Sequence, residues 1–152
     1  MRTAHWLLAL LLALPAAAAA ELLQPDPALS PREVVEIQLD ALKHNDDPRP
    51  DFGIAQTWAF AHPDNRSQTG PLERFRRMLE SPPYRLLLGH RSHAVEPMEV
   101  GDRRAVFTVT VVAASGPVVA YRWILERVDG GEHAGAWMTV AVTPPVERGL
   151  AI

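Results

Sequence analysis

NRSQTGPLERFRRML, residues 65–79, is where this chain changes character. Upstream of it the apolar residues recur with helical spacing; beyond the Ser81-Pro82-Pro83 stop the sequence is almost entirely strand-like. Within it, Thr69-Gly70-Pro71 reads as a helix start, with Pro71 at the first helical position, where its missing N–H costs nothing. Leu72, Phe75 and Leu79 form the apolar stripe of that helix, with Met78 beside it. Arg76 falls between Leu72 and Leu79 on the same wheel. A guanidinium there either snorkels to the rim or is held by a carboxylate.

Upstream, Ser30-Pro31-Arg32-Glu33 predicts a capped helix running to about Lys43. Val34, Val35, Ala41 and Leu42 cluster on one face of it, while Glu36, Asp40 and Lys43 lie away. Gln38 projects near the middle of that apolar face. A buried amide must find partners, either in a nearby loop backbone or by lining a pocket. His44–Pro50 (HNDDPRP) stops the helix, and Asp51 is the expected cap of a second, from Phe52 to about Ala61. Ala55, Trp58, Ala59 and His62 share one side of this helix, with Ile54 at the edge, and His62-Pro63-Asp64-Asn65 ends it. His62 reads either as a capping or packing residue or as a general base paired with Asp64. Glu21–Leu29, interrupted by prolines, is expected to be a poorly ordered lead-in.

Downstream, the period drops to two. Tyr84–Leu88 reads as a short strand or turn, and His90–Val100 as an edge strand that tolerates Pro97. Arg104–Ala114, Val118–Val128 and Trp137–Val142 follow across short turns, and Val146–Ile152 is expected to be a tail after Pro144-Pro145. Strands this closely linked pair antiparallel. Such a sheet needs one face covered, and the helices are the only cover available. The expected fold class is therefore α+β: three N-terminal helices on a curved antiparallel sheet of about four strands, in a single domain over residues 30–143, with residues 144–152 a tail.

Composition restricts the function classes. Arg2, an apolar run from Trp6 to Leu14, Pro15 and then Ala18-Ala19-Ala20 have the layout of a signal peptide cleaved after about Ala20, so the expected location is periplasmic or secreted. The run is too short to span a bilayer, and no stable membrane insertion is expected after cleavage. Without residues 1–20 the chain keeps 14 basic and 18 acidic residues, a net charge of −4, and it has no cysteine. A mildly acidic chain without a basic block argues against nucleic acid and anionic membrane as partners. Without cysteine, the domain must cohere by packing alone in an oxidising compartment.

The text QLDALKHND (Gln38–Asp46), AFAHP (Ala59–Pro63), TGPLERFRRML (Thr69–Leu79), Pro83-Tyr84 and WMTVAV (Trp137–Val142) resembles an uncharacterised family of secreted bacterial proteins, domain of unknown function 4864. The helices-then-meander order is likewise similar to the cone-shaped nuclear transport factor 2-like fold, used also by ketosteroid isomerase-like proteins. The resemblance covers roughly residues 32–143 and departs at the longer link DPRPDFG (Asp47–Gly53). It implies a cavity between helices and concave sheet, and brings no known activity.

Gln38, Arg76 and Tyr121 are the candidate lining of that cavity, with Arg122 in place of Tyr121 if the strand faces the other way. Trp58, Phe75, Phe107 and Trp123 are expected mostly in the core. Ser67-Gln68-Thr69-Gly70, just ahead of a helix start and beside Arg66, offers either a helix cap or an anion site built on the amides of Gly70, Leu72 and Glu73. His90 and His93, three apart in an expected strand, should face opposite sides, which argues against a metal pair. No cofactor or metal motif, nucleophile elbow, Walker loop or HExxH occurs. Three readings remain: a non-catalytic binding or accessory domain for a small polar or anionic molecule, an isomerase- or cyclase-type enzyme with a carboxylate base in the cavity, and an interaction module. In the third, a homodimer forms through the open sheet face, as related cone folds often do.

Overall fold

A computed structural model describes residues 19–150. The expected leader, apart from Ala19 and Ala20, lies outside the described residues. Over the described residues the chain is α+β: four helices and a curved antiparallel sheet of five strands. The helices are α1 (Pro31–Lys43), α2 (Phe52–Ala59), α3 (Pro63–Thr69) and α4 (Leu72–Glu80); Arg85–Leu87 forms one 3₁₀ turn. The strands are β1 (Ser92–Val100), β2 (Arg104–Val112), β3 (Pro117–Arg127), β4 (Trp137–Val142) and β5 (Val146–Leu150).

Local rules account for α1. Ser30 Oγ accepts from the Glu33 N–H at 3.2 Å, and the Glu33 carboxylate accepts from the Ser30 N–H at 2.7 Å, closing the expected capping box. Val34, Val35, Leu39 and Leu42 are buried on its inner face with Gln38 among them. The second helix starts where expected, but Asp51 does not cap it: Asp51 adopts a left-handed backbone and its carboxylate accepts from Asn45 Nδ2. Asn45 supplies the cap instead, its backbone oxygen accepting from Gly53 N–H (2.9 Å) and its side-chain oxygen from Ile54 N–H (3.0 Å). The buried face of α2 is also rotated from expectation, toward Ile54, Gln56, Thr57 and Ala59.

The helix count is four rather than three because His62-Pro63 starts a helix instead of ending one. Pro63 occupies the first helical position of α3, and His62 Nδ1 accepts from the Asp64 N–H at 3.1 Å as its N-cap. His62 is thus a capping residue, though of the helix that follows it. The helix of residues 72–80 begins at Leu72 with Pro71 as its N-cap. Phe75 and Leu79 are buried as expected, whereas Leu72 is exposed.

In the sheet, β1–β2–β3–β4 follow chain order, all antiparallel. The expected tail is a correction: Val146–Leu150 forms β5, which pairs with β3 at Pro117–Ala120, beside the stretch where β4 pairs with Trp123–Arg127. The two lie along the same edge of β3, separated only by the Thr143–Pro145 break. Prolines cannot donate to the ladder, so Pro144-Pro145 interrupts the pairing without ending it. Val119, Tyr121, Trp123 and Leu125 of β3 and Phe107, Val109 and Val111 of β2 face the helices and join the core. Arg122 therefore lies on the outer face, exposed.

The lead-in is not loose. Leu23 exchanges two hydrogen bonds with the Gln56 side chain on α2 (2.8 and 2.9 Å), and Leu22 and Leu29 pack against the core. Among the described residues no helix is long and apolar enough to cross a membrane. Where α1 and α2 meet, a Cβ on Gly53 would overlap the Ala41 carbonyl oxygen and lie 2.8 Å from the Asn45 Cα, both backbone atoms that cannot swing aside. Gly53→Ala is therefore expected to lower the unfolding free energy by about 2–3 kcal/mol, read from the urea midpoint; an unchanged midpoint would mean that the helices are not packed this closely.

Candidate functional site

The site is built around the Gln38 amide, which is 1% exposed. Its Oε1 accepts from Trp123 Nε1–H at 2.9 Å and from Thr139 Oγ1–H at 2.7 Å, and its Nε2 donates to the Thr57 carbonyl at 3.1 Å. An indole N–H can only donate, so the atom facing it must be the oxygen, and the amide has a single orientation. One side chain thereby ties α1 to α2, β3 and β4. Beside it opens a cavity of about 160 Å³ between α3, α4 and β4. Phe75, Leu79 and Leu87 supply apolar walls; Thr57, Asn65, Gln68, Thr69, Tyr84 and Thr139 supply neutral polar groups.

The cavity borders β4, the last strand on the sheet path. The outer edge of β4 carries an isolated backbone bridge at Thr139, whose N–H donates to the Phe60 carbonyl and whose oxygen accepts from His62 N–H, both at 2.9 Å. Asn65 Nδ2 donates to that same oxygen at 3.1 Å. Further along the strand, Tyr84 Oη donates to the Val142 carbonyl at 3.0 Å, and burial raises the pKa of this phenol.

Of the residues singled out in the sequence, Gln38 and Thr69 line this cavity; Arg66, Gly70, Arg76 and Tyr121 do not. Arg76 lies on the outside of α4, bonded to Glu73 and Glu80 at 2.6 Å each, so the carboxylate alternative holds for it. The Glu73 bond is the main reason that its pKa is raised above the ordinary arginine value. Tyr121 faces inward, but its hydroxyl donates to the Pro83 carbonyl at 2.9 Å and its ring stacks on Tyr84; burial raises its pKa strongly.

Neither alternative read at residues 67–70, a helix cap or an anion site, takes the form expected: α4 has Pro71 as its N-cap with no side-chain cap bond. Ser67-Gln68-Thr69 is the last turn of α3, where the helix dipole repels an anion. Gly70 N–H is used by the Arg66 carbonyl at 2.9 Å, and Thr69 Oγ1 donates to the Asn65 backbone oxygen at 3.0 Å. Arg66 itself closes the end of α2, donating to the carbonyls of Trp58 (2.8 Å) and Ala59 (3.1 Å) while lying over the Trp58 ring. Burial lowers its pKa, and its Nε is buried with no partner among the described residues.

Gln68, Asn65, Thr57 and Thr139 are lining residues that the sequence reading missed. Asn65 and Gln68 fall within NRSQT, and the Pro63 signal would have placed them on a helix. The lining contains no Asp, Glu, His, Lys or Arg. A proton abstraction there would have no protein base, and a bound charge no counter-ion.

A second polar cluster lies between α1 and β1. The expectation that His90 and His93 face opposite sides fails because His90 precedes the strand rather than sitting in it. The two rings meet, with His90 Nε2 and His93 Nδ1 2.7 Å apart. His90 Nδ1 lies 2.7 Å from the Leu87 carbonyl, and His93 Nε2 lies 2.9 Å from Glu36 Oε2. Two neutral imidazoles carry one N–H each, so they can fill two of these three links, and the third lacks a hydrogen while both rings are neutral. Burial, first, and the neighbouring His93 and Lys43 lower the His90 pKa from its ordinary value, against the opposing pull of the Leu87 carbonyl and Asp40. No group of three or more His, Cys, Asp or Glu suited to a metal ion occurs among the described residues.

No family model matches the chain, nor does any curated protein or solved structure.

Two outcomes follow from this geometry. Gln38→Leu keeps the volume but leaves the Thr139 hydroxyl without an acceptor and takes one of two partners from the Trp123 N–H and the Thr57 carbonyl; it is expected to cost about 1–3 kcal/mol in chemical denaturation. His90, with its folded pKa lowered, binds its proton more readily when unfolded, so it adds no pH dependence well above pH 6.5 and destabilises the fold as pH falls through that ordinary value. The stability difference between wild type and His90→Asn should accordingly shift in favour of the variant between neutral pH and about pH 5; a pH-independent difference would contradict the burial of His90.

Proposed function

We propose that this chain is an exported, non-catalytic domain that binds a small molecule in the cavity between its helices and sheet. The single observation carrying the reading is the cavity itself. About 160 Å³ of space stands beside a fully buried, uniquely oriented amide in an otherwise close-packed core. An engineered protein cavity of about 150 Å³ admits benzene, which sets the scale of the occupant at one substituted ring. A few fixed polar groups among apolar walls are the usual composition of a ligand site. The absence of any carboxylate or histidine from the lining favours binding over acid–base catalysis.

The leader pattern at residues 1–20 supports export. The order of helices before a bent antiparallel sheet supports the cone-shaped, nuclear transport factor 2-like reading and, with the motifs quoted above, the likeness to domain of unknown function 4864.

The test uses the chain from Glu21 onward, labelled with ¹⁵N and titrated with uncharged single-ring compounds such as acetophenone and cyclohexanone. The amides of Gln38, Thr69, Thr139 and Val140 are expected to shift together and saturably, and the melting temperature to rise. Gln68→Trp, at the exposed rim, is expected to weaken the effect while leaving the spectrum folded. Titrations that move none of these amides would refute the binding site.

A further inference from the structure

We infer that the ligand of this cavity is electrically neutral and presents a hydrogen-bond-accepting oxygen, as a ketone, aldehyde or amide does, rather than a carboxylate or phosphate. The inference rests on the cavity being a binding site and goes further in fixing the chemistry of its occupant.

Charge comes first. All seventeen lining residues are uncharged. The nearby cations do not line it: Arg66 holds the Trp58 and Ala59 carbonyls through Nη2, and Arg76 is paired with Glu73 and Glu80. An anion moved into such a space loses its hydration and gains no counter-charge, a cost far above that of burying a neutral polar group. The last turn of α3, formed by Gln68 and Thr69 at the cavity wall, adds the negative end of a helix dipole.

Polarity comes second. The Trp123 indole fixes which end of the Gln38 amide is oxygen, and that oxygen already accepts two bonds. The nitrogen carries two hydrogens and spends one, on the Thr57 carbonyl. Its second N–H has no partner among the described residues, although the side chain is buried and lines the cavity. Asn65 also keeps a second N–H in hand: its nitrogen gives one hydrogen to the Thr139 carbonyl, while its side-chain and backbone oxygens share the single Thr69 hydroxyl hydrogen. The spare capacity of the fully buried Gln38 amide is thus donor capacity, and a ligand oxygen is its complement. A buried donor left unpaired costs more than the bond returns when made, so an occupant without an acceptor is penalised.

The experiment compares ligands of matched shape on the wild-type chain from Glu21, so no variant has to fold. Benzamide and benzoate have nearly the same shape and differ in charge at neutral pH; acetophenone and isopropylbenzene differ in the oxygen. Binding is followed by the backbone amides of the lining and by the Gln38 side-chain NH₂ resonance. Benzamide is expected to bind at least about tenfold more tightly than benzoate. Acetophenone should bind about fivefold more tightly than isopropylbenzene and move the Gln38 NH₂ signal. Benzoate binding as well as benzamide would overturn the neutral-ligand inference, and isopropylbenzene matching acetophenone would overturn the acceptor requirement; in both cases the cavity would stand as a site. If none of the four perturbs any lining amide, the inference fails together with the binding reading on which it rests.

Discussion

The rest of the structure depends on one buried amide. Gln38 lies at the centre of the inner face of α1, where local patterning asks for an apolar residue, and it touches all three other walls of the domain. Its nitrogen holds the backbone of α2 at Thr57; its oxygen holds the Trp123 indole on β3 and the Thr139 hydroxyl on β4. Each of these partners is itself buried, so a shift of α1 along the sheet would strand several polar groups out of water at once. Hydrophobic burial supplies most of the drive to collapse but has no direction. The amide supplies direction, and so selects one placement of the helices on the sheet from the many that bury similar area.

The sheet is shaped by how its last strands end. Pro144-Pro145 cannot donate, so the ladder beside β3 is split into β4 and β5 rather than completed as one strand. On the other side of β4, the chain at Phe60–His62 bridges to the edge at Thr139 before α3 turns away. The cavity occupies the space that α3 and α4 leave over the remaining edge. Close packing at the corner between these two helices sets that spacing. A Cβ on Gly70 would sit 2.6 Å from the Arg66 carbonyl oxygen and 2.7 Å from the Trp58 ring, and Arg66 locks the end of α2 beneath. The basic, polar stretch, which its sequence offers as a helix cap or an anion site, is therefore a structural joint.

The histidine pair shows the same lesson in another place. A spacing of three puts two side chains on opposite faces only inside a regular strand. One residue outside the strand is free of that alternation, and His90, placed just before β1, folds back to meet His93 and, through it, Glu36 on α1. The pair thus joins the strand to the helix on the side of α1 remote from Thr57.

Short-range signals were legible in the sequence: the capping box at Ser30, the strand alternation that puts Tyr121 and Arg122 on opposite faces without deciding which faces in, and the helix-then-sheet order that makes the fold α+β. Each depends on residues within a few positions of one another or on a period repeated several times. The same local rules failed where two of them competed, as at His62-Pro63, where a proline fits the end of one helix or the first turn of the next equally well. Only the tertiary structure decided which polar residues share a wall. Gln38 and Thr139 are separated by 101 positions and meet because α1 crosses the sheet at β4, and whether Arg76 faces a cavity or its own Glu73 and Glu80 turns on the rotation of α4 in its packed position. Such choices are fixed by close packing among distant segments, which no window of local sequence contains.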